Sequence, residues 1–458
     1  MTTADPAAPT PVGRPRLIVA VVLCGTVVGP LNSTMIAVAL PGMAEHFAVS
    51  SASMSWLVTA YLIATAALQP VAGKLGDRVG RRPVVLGGFG LAFVASALAV
   101  IAPALWMLIL CRVGQAVAGA LVAPNAMAMM RATASPDRVG RAFGIVGAVL
   151  PLAAAVGPVI GGGLVALGSW PAIFLVNLPL TGAALLLGWW VIPRGADHGK
   201  APRFDVLGGI WLSALLVGLT LMLDLGPQGT GAILAWVVLA AAAGGFVLYE
   251  LRREGPVLQP RLFAVRSFAS ASAGIALSNL AFYVTLLALP LLLHAEGRTE
   301  LTIGLVLGAL TVASAPVAIL GGRLVDKVGP RRPATTGLGV MTAGLVLLAV
   351  GASSWPPVAL AVCLAVLGAG VGLSMTPFQL GALYDVAESD TGTATGVFFA
   401  SRYLGSILGS ALLAGPLAPS PPDGFLVLFV VLVAVAVLGV LVSLLLPDTS
   451  PREAQARR

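Results

Sequence analysis

Charge is scarce in this chain. Only 10% of its 458 residues are Asp, Glu, Lys or Arg, against about 25% in a typical soluble domain. Cysteine and histidine number three each. Cys24, Cys111 and Cys363 stand apart in apolar runs, so neither a disulfide framework nor a metal site with ligand spacing is expected. No G-x-x-x-x-G-K-[ST] loop occurs, and with it goes any sign of ATP use. What fills the chain instead is apolar. Hydrophobic residues make up 58%, Gly adds 55 more positions, and the mean hydropathy is +0.99. Surface-to-volume scaling leaves a water-soluble globule too little interior to hide that much apolar side chain. A soluble enzyme, a disordered chain and a nucleic-acid reader are excluded, and a multi-pass membrane protein is implied.

A helix needs about 20 apolar residues to cross the hydrocarbon core. Such runs begin near Leu17, Met54, Val84, Leu105, Ala142, Ala172, Val206, Gly231, Phe268, Leu301, Ala334, Pro357, Gly396 and Phe425. Continuous runs of this length mean helices rather than barrel strands. The expected fold is therefore all-α, with about 14 transmembrane helices. The connections are too short for a catalytic domain and no cofactor is expected. If the N-terminus lies inside, alternate loops collect every Lys and Arg except Arg112, Arg298 and Arg402 out of 26. That asymmetry places both termini in the cytoplasm and basic loops on that face of the cell (inner) membrane. The net charge of +8 then belongs to the membrane topology, not to nucleic acid. Lipid is the expected surrounding and a monomer the expected state.

The chain also repeats itself. Gly73-Lys74-Leu75-Gly76-Asp77-Arg78-Val79-Gly80-Arg81-Arg82-Pro83 recurs as Gly322-Arg323-Leu324-Val325-Asp326-Lys327-Val328-Gly329-Pro330-Arg331-Arg332-Pro333, with one residue inserted. Each copy follows the second span of a six-span unit. Two related bundles with a site at their interface form a common transporter plan. The division is a tail over 1–16, a six-helix bundle over 17–193, two inserted helices over 194–266, a second six-helix bundle over 267–447, and a tail over 448–458.

The first copy resembles the signature loop of the major facilitator superfamily. Further segments resemble its fourteen-helix drug:proton antiporter branch. Leu31-Asn32-Ser33-Thr34-Met35-Ile36-Ala37-Val38-Ala39-Leu40-Pro41 is similar to the branch's first-helix motif, and Arg112-Val113-Gly114-Gln115 to its fourth-helix arginine motif. Gly157-Pro158-Val159-Ile160-Gly161-Gly162 resembles the fifth-helix antiporter motif. Phe174-Leu175-Val176-Asn177-Leu178-Pro179 and Phe204-Asp205-Val206-Leu207-Gly208 also look like that branch. The resemblance covers nearly the whole chain. It implies a secondary active transporter that exports drug-like or amphipathic molecules against proton entry by alternating access. Two other readings stay open: a facilitator or exchanger with no proton coupling, and a membrane sensor that does not transport.

Each motif has a physical reading. A carboxylate at Asp77, beside a helix end and the cations Arg78, Arg81 and Arg82, can latch two helices; Asp326 is the second copy. The plain alternative for the arginines is a solvated basic loop. Gly157 and Pro158, with Gly161 and Gly162, suit a hinge and seal within a helix, or close helix packing alone. Arg112 falls about 10 Å inside its span by the helical rise, and an intramembrane arginine is a functional candidate by default. Asn32 falls roughly 12 Å deep by the same rise, level with Arg112. With Gln115 and Arg402 these are the coupling and substrate candidates, although Arg402 could instead snorkel to the inner end. The branch carries Asp where this chain has Asn32, and an amide cannot take up or release a proton in the working pH range.

Overall fold

The computed structural model describes residues 15–133, 136–192, 206–225, 229–253, 259–351, 354–386, 391–414 and 424–448. All regular structure among them is helical. The helices are α1 (Pro15–Phe47), α2 (Ser51–Val79), α3 (Arg81–Val100), α4 (Leu105–Thr133), α5 (Pro136–Gly168), α6 (Ala172–Leu175) and α7 (Asn177–Val191). Then come α8 (Val206–Leu225), α9 (Gly229–Leu251), a short 3-10 turn (Pro260–Ala264), α10 (Arg266–Ala295), α11 (Glu300–Val328), α12 (Arg331–Gly351), α13 (Pro357–Ala382), α14 (Thr391–Ala414) and α15 (Gly424–Ser443). Among the described residues, eleven stretches are long and apolar enough to cross a membrane. Shorter apolar helices lie in α2, α5 and α8 (Ser53–Leu68, Leu152–Gly168 and Leu207–Leu223).

Helix ends follow local chemistry. The side chain of Ser50 accepts from the backbone N–H of Ser53 to start α2, and Thr299 accepts from Thr302 to start α11. These are N-caps that satisfy donors the helix leaves unpaired. Both helices then run 29 residues and stop at a glycine of positive φ, Gly80 at 101° and Gly329 at 76°. Only glycine takes that backbone without strain, so the repeated basic segment turns from one helix to the next through Gly80 alone in the first copy and through Gly329 and Pro330 in the second. Asp77 was expected to follow a helix end. It instead lies inside the last turn of α2, because the helix persists to the positive-φ glycine. The sixth apolar run holds as one span over Ala172–Val191, with a one-residue turn at Val176 between α6 and α7. Pro179 has no N–H to offer the carbonyl four residues back.

Packing divides the chain into two groups. In the first, α1 packs against α4, α5 and α7, and α4 against α2 and α3. In the second, α10 packs against α13, α14 and α15, and α13 against α11 and α12. The groups meet chiefly where α5 crosses α11 and where α14 crosses α2. Helix α8 leans on α2 and α14, while α9 packs chiefly on α8 and more lightly on the 3-10 turn. The most apolar stretch of α10 is 78% buried and that of α9 only 11%, so α10 is central and α9 peripheral. Ile233, Leu234, Val237, Val238 and Leu248 of α9 all face outward. Such a helix needs lipid around it, because water would not tolerate an apolar face that nothing covers.

Candidate functional site

Arg112 is fully buried in the middle of the first group, on α4. Its Nη1 donates to Gln115 Oε1 at 2.9 Å, and its Nε points at the Leu57 carbonyl of α2 at 3.5 Å. The guanidinium carbon sits 4.3 Å from the centroid of the Tyr61 ring, also on α2. Asn32 of α1 donates from Nδ2 to the same Gln115 Oε1 at 3.0 Å, and Gln115 Nε2 donates to Ser96 Oγ of α3 at 3.0 Å. One glutamine thus ties α1, α3 and α4, and Arg112 adds α2. The helical rise placed Asn32 and Arg112 at one depth; in the structure they share an acceptor.

The direction of this network is dictated by Arg112, which can only donate. Gln115 must turn its carbonyl toward the arginine and its amide nitrogen toward Ser96. Asn32 must then offer Nδ2 to that carbonyl, which leaves Asn32 Oδ1 without a hydrogen-bond partner among the described residues; Arg112 Nη2 is likewise unpartnered. A small pocket opens beside them, with Asn32, Gln115 and Tyr61 in its wall along with Val28, Phe89 and Val122.

The second group holds a looser counterpart. Arg402 of α14 is half-buried and donates from Nε to Asn279 Oδ1 of α10 at 3.3 Å. Asn279 in turn donates from Nδ2 to the Ile275 carbonyl at 3.1 Å. The arginine thus reaches across from α14 to α10.

Helix α5 is wedged between α1 and α11 by its glycines. A Cβ on Gly157 would collide with the Thr34 hydroxyl, and one on Gly161 would lie 3.0 Å from the Met35 backbone. On the other face, a Cβ on Gly162 would come within 2.6 Å of the Glu300 carbonyl and 3.1 Å of Gly304 Cα. Pro158 is buried in the same stretch, and its carbonyl meets the position a Cβ on Gly304 would take. Thr34 Oγ1 donates to the Ala154 carbonyl at 3.0 Å, and Thr311 Oγ1 of α11 donates to that of Ala155. Three side-chain pairs add to this seam between the groups: Ser33 Oγ with Tyr283 OH at 3.2 Å, Thr59 Oγ1 with Ser410 Oγ at 2.8 Å, and His294 Nε2 with Glu45 Oε1 at 2.9 Å. These links all fall within about 21 Å, or fourteen residues at the helical rise, of the end where α1 hands over to α2.

At the opposite end, the side chains of Asp77, Arg78 and Asp326 lie outside the described residues. Arg82 donates from Nη2 to the Trp189 carbonyl of α7 at 2.8 Å and sits over that indole at 5.7 Å. Its described contacts therefore join α3 to α7 within the first group. Arg81 is half-buried at the start of α3. No group of three or more metal-ligating side chains occurs among the described residues.

The sequence carried no pointer to Ser96, Asn279 or the seam-forming hydroxyls. The one available signal was a lone amide or hydroxyl in an apolar run, a pattern shared with many helix-bonded Ser and Thr that serve only their own backbone.

The family model described as Major Facilitator Superfamily matches residues 22–410 and 271–458. The MFS-type transporter YvkA of Bacillus subtilis is 34% identical over 430 residues, covering 93% of this chain and 95% of that one. Multidrug resistance protein Stp of Mycobacterium tuberculosis is 32% identical over 398 residues, covering 85% and 73%. The tetracenomycin C resistance and export protein of Streptomyces glaucescens is 31% identical over 435 residues, covering 90% and 78%. The fold matches the xylose transporter XylE of E. coli, solved in a partially occluded inward-open conformation, with a TM-score of 0.62 at 15% identity over 93% of this chain and 96% of that one. The helical architecture, the matched segments and these relatives agree that the chain belongs to the Major Facilitator Superfamily of membrane transporters, not to the enzymes.

Proposed function

We propose that this transporter exports amphipathic, drug-like molecules from the cytoplasm by alternating access. In this reading the chain crosses the inner membrane fourteen times. Two related six-helix bundles, α1–α7 and α10–α15, flank the inserted pair α8 and α9, and both termini are cytoplasmic. The matched helix partners of α1 and α10 support the relatedness of the bundles. The loop arginines and lysines support the orientation. One observation carries the mechanism: among the described residues, the polar side-chain links between bundles lie toward the α1–α2 end, which on this orientation faces outward. That fits a carrier closed to the outside.

The residue roles follow. Asp77, with Arg78, Arg81, Arg82 and Asp326, forms the inner latch that would re-form when the carrier faces outward. Gly157, Pro158, Gly161 and Gly162 form the hinge and seal. Arg112, Gln115, Asn32 and Arg402 line the route of substrate or proton. Relatives named for multidrug resistance and for export support the substrate class.

Coupling to proton entry is the family's habit, and a second reading, downhill exchange without protons, is favoured by one fact. Asn32 occupies the carboxylate position and serves as a hydrogen-bond donor to Gln115. Efflux of a lipophilic fluorescent dye from expressing cells, with and without a protonophore, tests both. Export against a gradient that the protonophore abolishes supports proton coupling. Downhill flux that persists supports exchange. Dye movement equal to that of empty-vector cells across a panel of neutral, anionic and cationic dyes overturns the transporter reading in favour of a sensor.

A further inference from the structure

We propose that the Glu45–His294 pair makes the α1–α2 end an acid-sensitive seam, which closes more firmly when His294 is protonated. The inference adds a control to the transport cycle, and its external placement rests on the orientation proposed above. Glu45 lies in the last turn of α1 and His294 in the last turn of α10, so the pair joins the first group to the second. His294 Nε2 and Glu45 Oε1 are 2.9 Å apart, with the histidine side chain 26% exposed and the glutamate 72%. An ionised carboxylate only accepts, which puts a proton on Nε2 of the imidazole. A second proton, on Nδ1, turns that hydrogen bond into an ion pair without moving a heavy atom. The two hydroxyl pairs across the groups, Ser33 with Tyr283 and Thr59 with Ser410, hold no group that changes charge between about pH 5 and 8.

The sign depends on which neighbours travel with His294. The C-terminal dipole of α10 favours a cation in its last turn, but it belongs to the same helix and acts whether the seam is open or closed. Glu296 follows on the same segment and engages Arg298 at 3.5 Å, and Glu300 begins α11 of the same group. His46 stands beside Glu45 in the first group, with its ring 4.9 Å from that of Phe47 and 5.4 Å from that of Trp170. Helix α6 and the adjoining two turns of α2, α4, α5, α7, α13, α14 and α15 carry no charged residue. Glu45 is thus the described charge that His294 gains on closure and loses on opening.

A proton on His294 is therefore held more tightly in the closed state. By linkage, lowering the pH favours closure and raising it releases the seam. The effect is small, as it is for exposed ion pairs in general, which suits a seam that has to reopen in every cycle. On the proposed orientation the proton comes from outside, so an acid exterior returns the emptied carrier to its cytoplasm-facing form.

The test reads the seam by distance. In a background with Cys24, Cys111 and Cys363 replaced by alanine, spin labels are attached through Leu167→Cys at the end of α5 and Val358→Cys at the start of α13. Both positions are exposed, one in each group. Double electron–electron resonance on the purified full-length protein in lipid nanodiscs gives the proportions of closed and parted forms. Measurements at about pH 7.5 and about pH 5.5 bracket the ordinary histidine range. The ratio of closed to parted forms should rise roughly two- to fivefold in acid, the range open to an exposed ion pair. His294→Gln and Glu45→Gln each keep a neutral hydrogen bond while removing the charge pair, and should abolish the response. His46→Gln should leave it at its parental size. A parental ratio that does not change with pH overturns the proposal, as does a response that survives in His294→Gln or Glu45→Gln, or one that disappears in His46→Gln. The distances are read without transport. A pH-responsive seam in a protein that moves no dye refutes the transporter reading alone, and a dye exporter with an indifferent seam refutes this one alone.

Discussion

A guanidinium buried inside a membrane bundle needs several partners at once, and Arg112 is served by neutral ones. Gln115 supplies the short hydrogen bond, Leu57 a long one, and Tyr61 the face of a ring; a desolvated cation–π contact adds about 2 kcal/mol. Gln115 is the member whose loss strands two others. Gln115→Leu, of similar size, should destabilise the purified protein by about 3 kcal/mol, read as a lowered thermal midpoint, with transport lost. Gln115→Glu should fold and hold Arg112 at least as firmly, since a carboxylate accepts from it as an ion pair. A leucine variant with the parental midpoint would mean that the glutamine carbonyl supports nothing. Much of this cluster was legible in the chain. A lone Arg eight residues into a span and an Asn at the same depth in another are related by the helical rise alone. Ser96 and Tyr61 were not legible as partners, because which face of α3 and α2 turns toward α4 depends on packing across sequence distances that periodicity does not encode.

Fourteen apolar runs could be counted from the sequence because length and apolarity are properties of single segments. Where the segments stop was harder to see. The repeated glycine before Arg81 and Pro330 marked the end of α2 and α11, but the persistence of helix through Asp77 depended on hydrogen bonds to the very last turn, such as Gly80 N–H to the Gly76 carbonyl at 3.0 Å. The wedge of α5 between α1 and α11 was half legible. A run of glycines near Pro158 announced close approach, though not which helix lay on which side. The structure separates them by function: Gly162 faces α11 backbone, and Gly163 faces nothing within 4 Å. Gly162→Val should therefore push α5 from α11, since the obstruction is the Glu300 carbonyl and not a flexible side chain. Gly163→Ala should be silent, or should stabilise α5 by up to about 1 kcal/mol through helix propensity. Dye efflux should fall at least tenfold in the first and stay parental in the second. Equal efflux in the two would remove α5–α11 contact from the mechanism.

At the scale of the whole molecule, the two groups meet through the close packing of α5 on α11 and, among the described residues, through polar side-chain links toward the α1–α2 end, each weak in its chemistry. Thr59 with Ser410 and Ser33 with Tyr283 are neutral hydroxyl pairs, each worth about 1 kcal/mol net, and Glu45 with His294 is partly exposed to solvent, where an ion pair contributes little. Links of this kind can break and re-form within a transport cycle. Their reversibility can be tested by making one link covalent. Thr59 and Ser410 are both buried, and their oxygens are 2.8 Å apart, so cysteines at the two positions fall within the reach of a disulfide. In a background with Cys24, Cys111 and Cys363 replaced by alanine, Thr59→Cys with Ser410→Cys should cross-link on mild oxidation. The joined protein would be held closed at the α1–α2 end. Efflux should drop by at least an order of magnitude and return on reduction, while each single cysteine variant remains indifferent to the oxidant. The cross-link itself is followed by cleaving the chain at a protease site introduced near residue 200 and asking whether the two fragments migrate together. If the fragments are joined and efflux continues at the parental rate, the α1–α2 end does not need to open, and movement of the two groups about this seam is not how the substrate crosses.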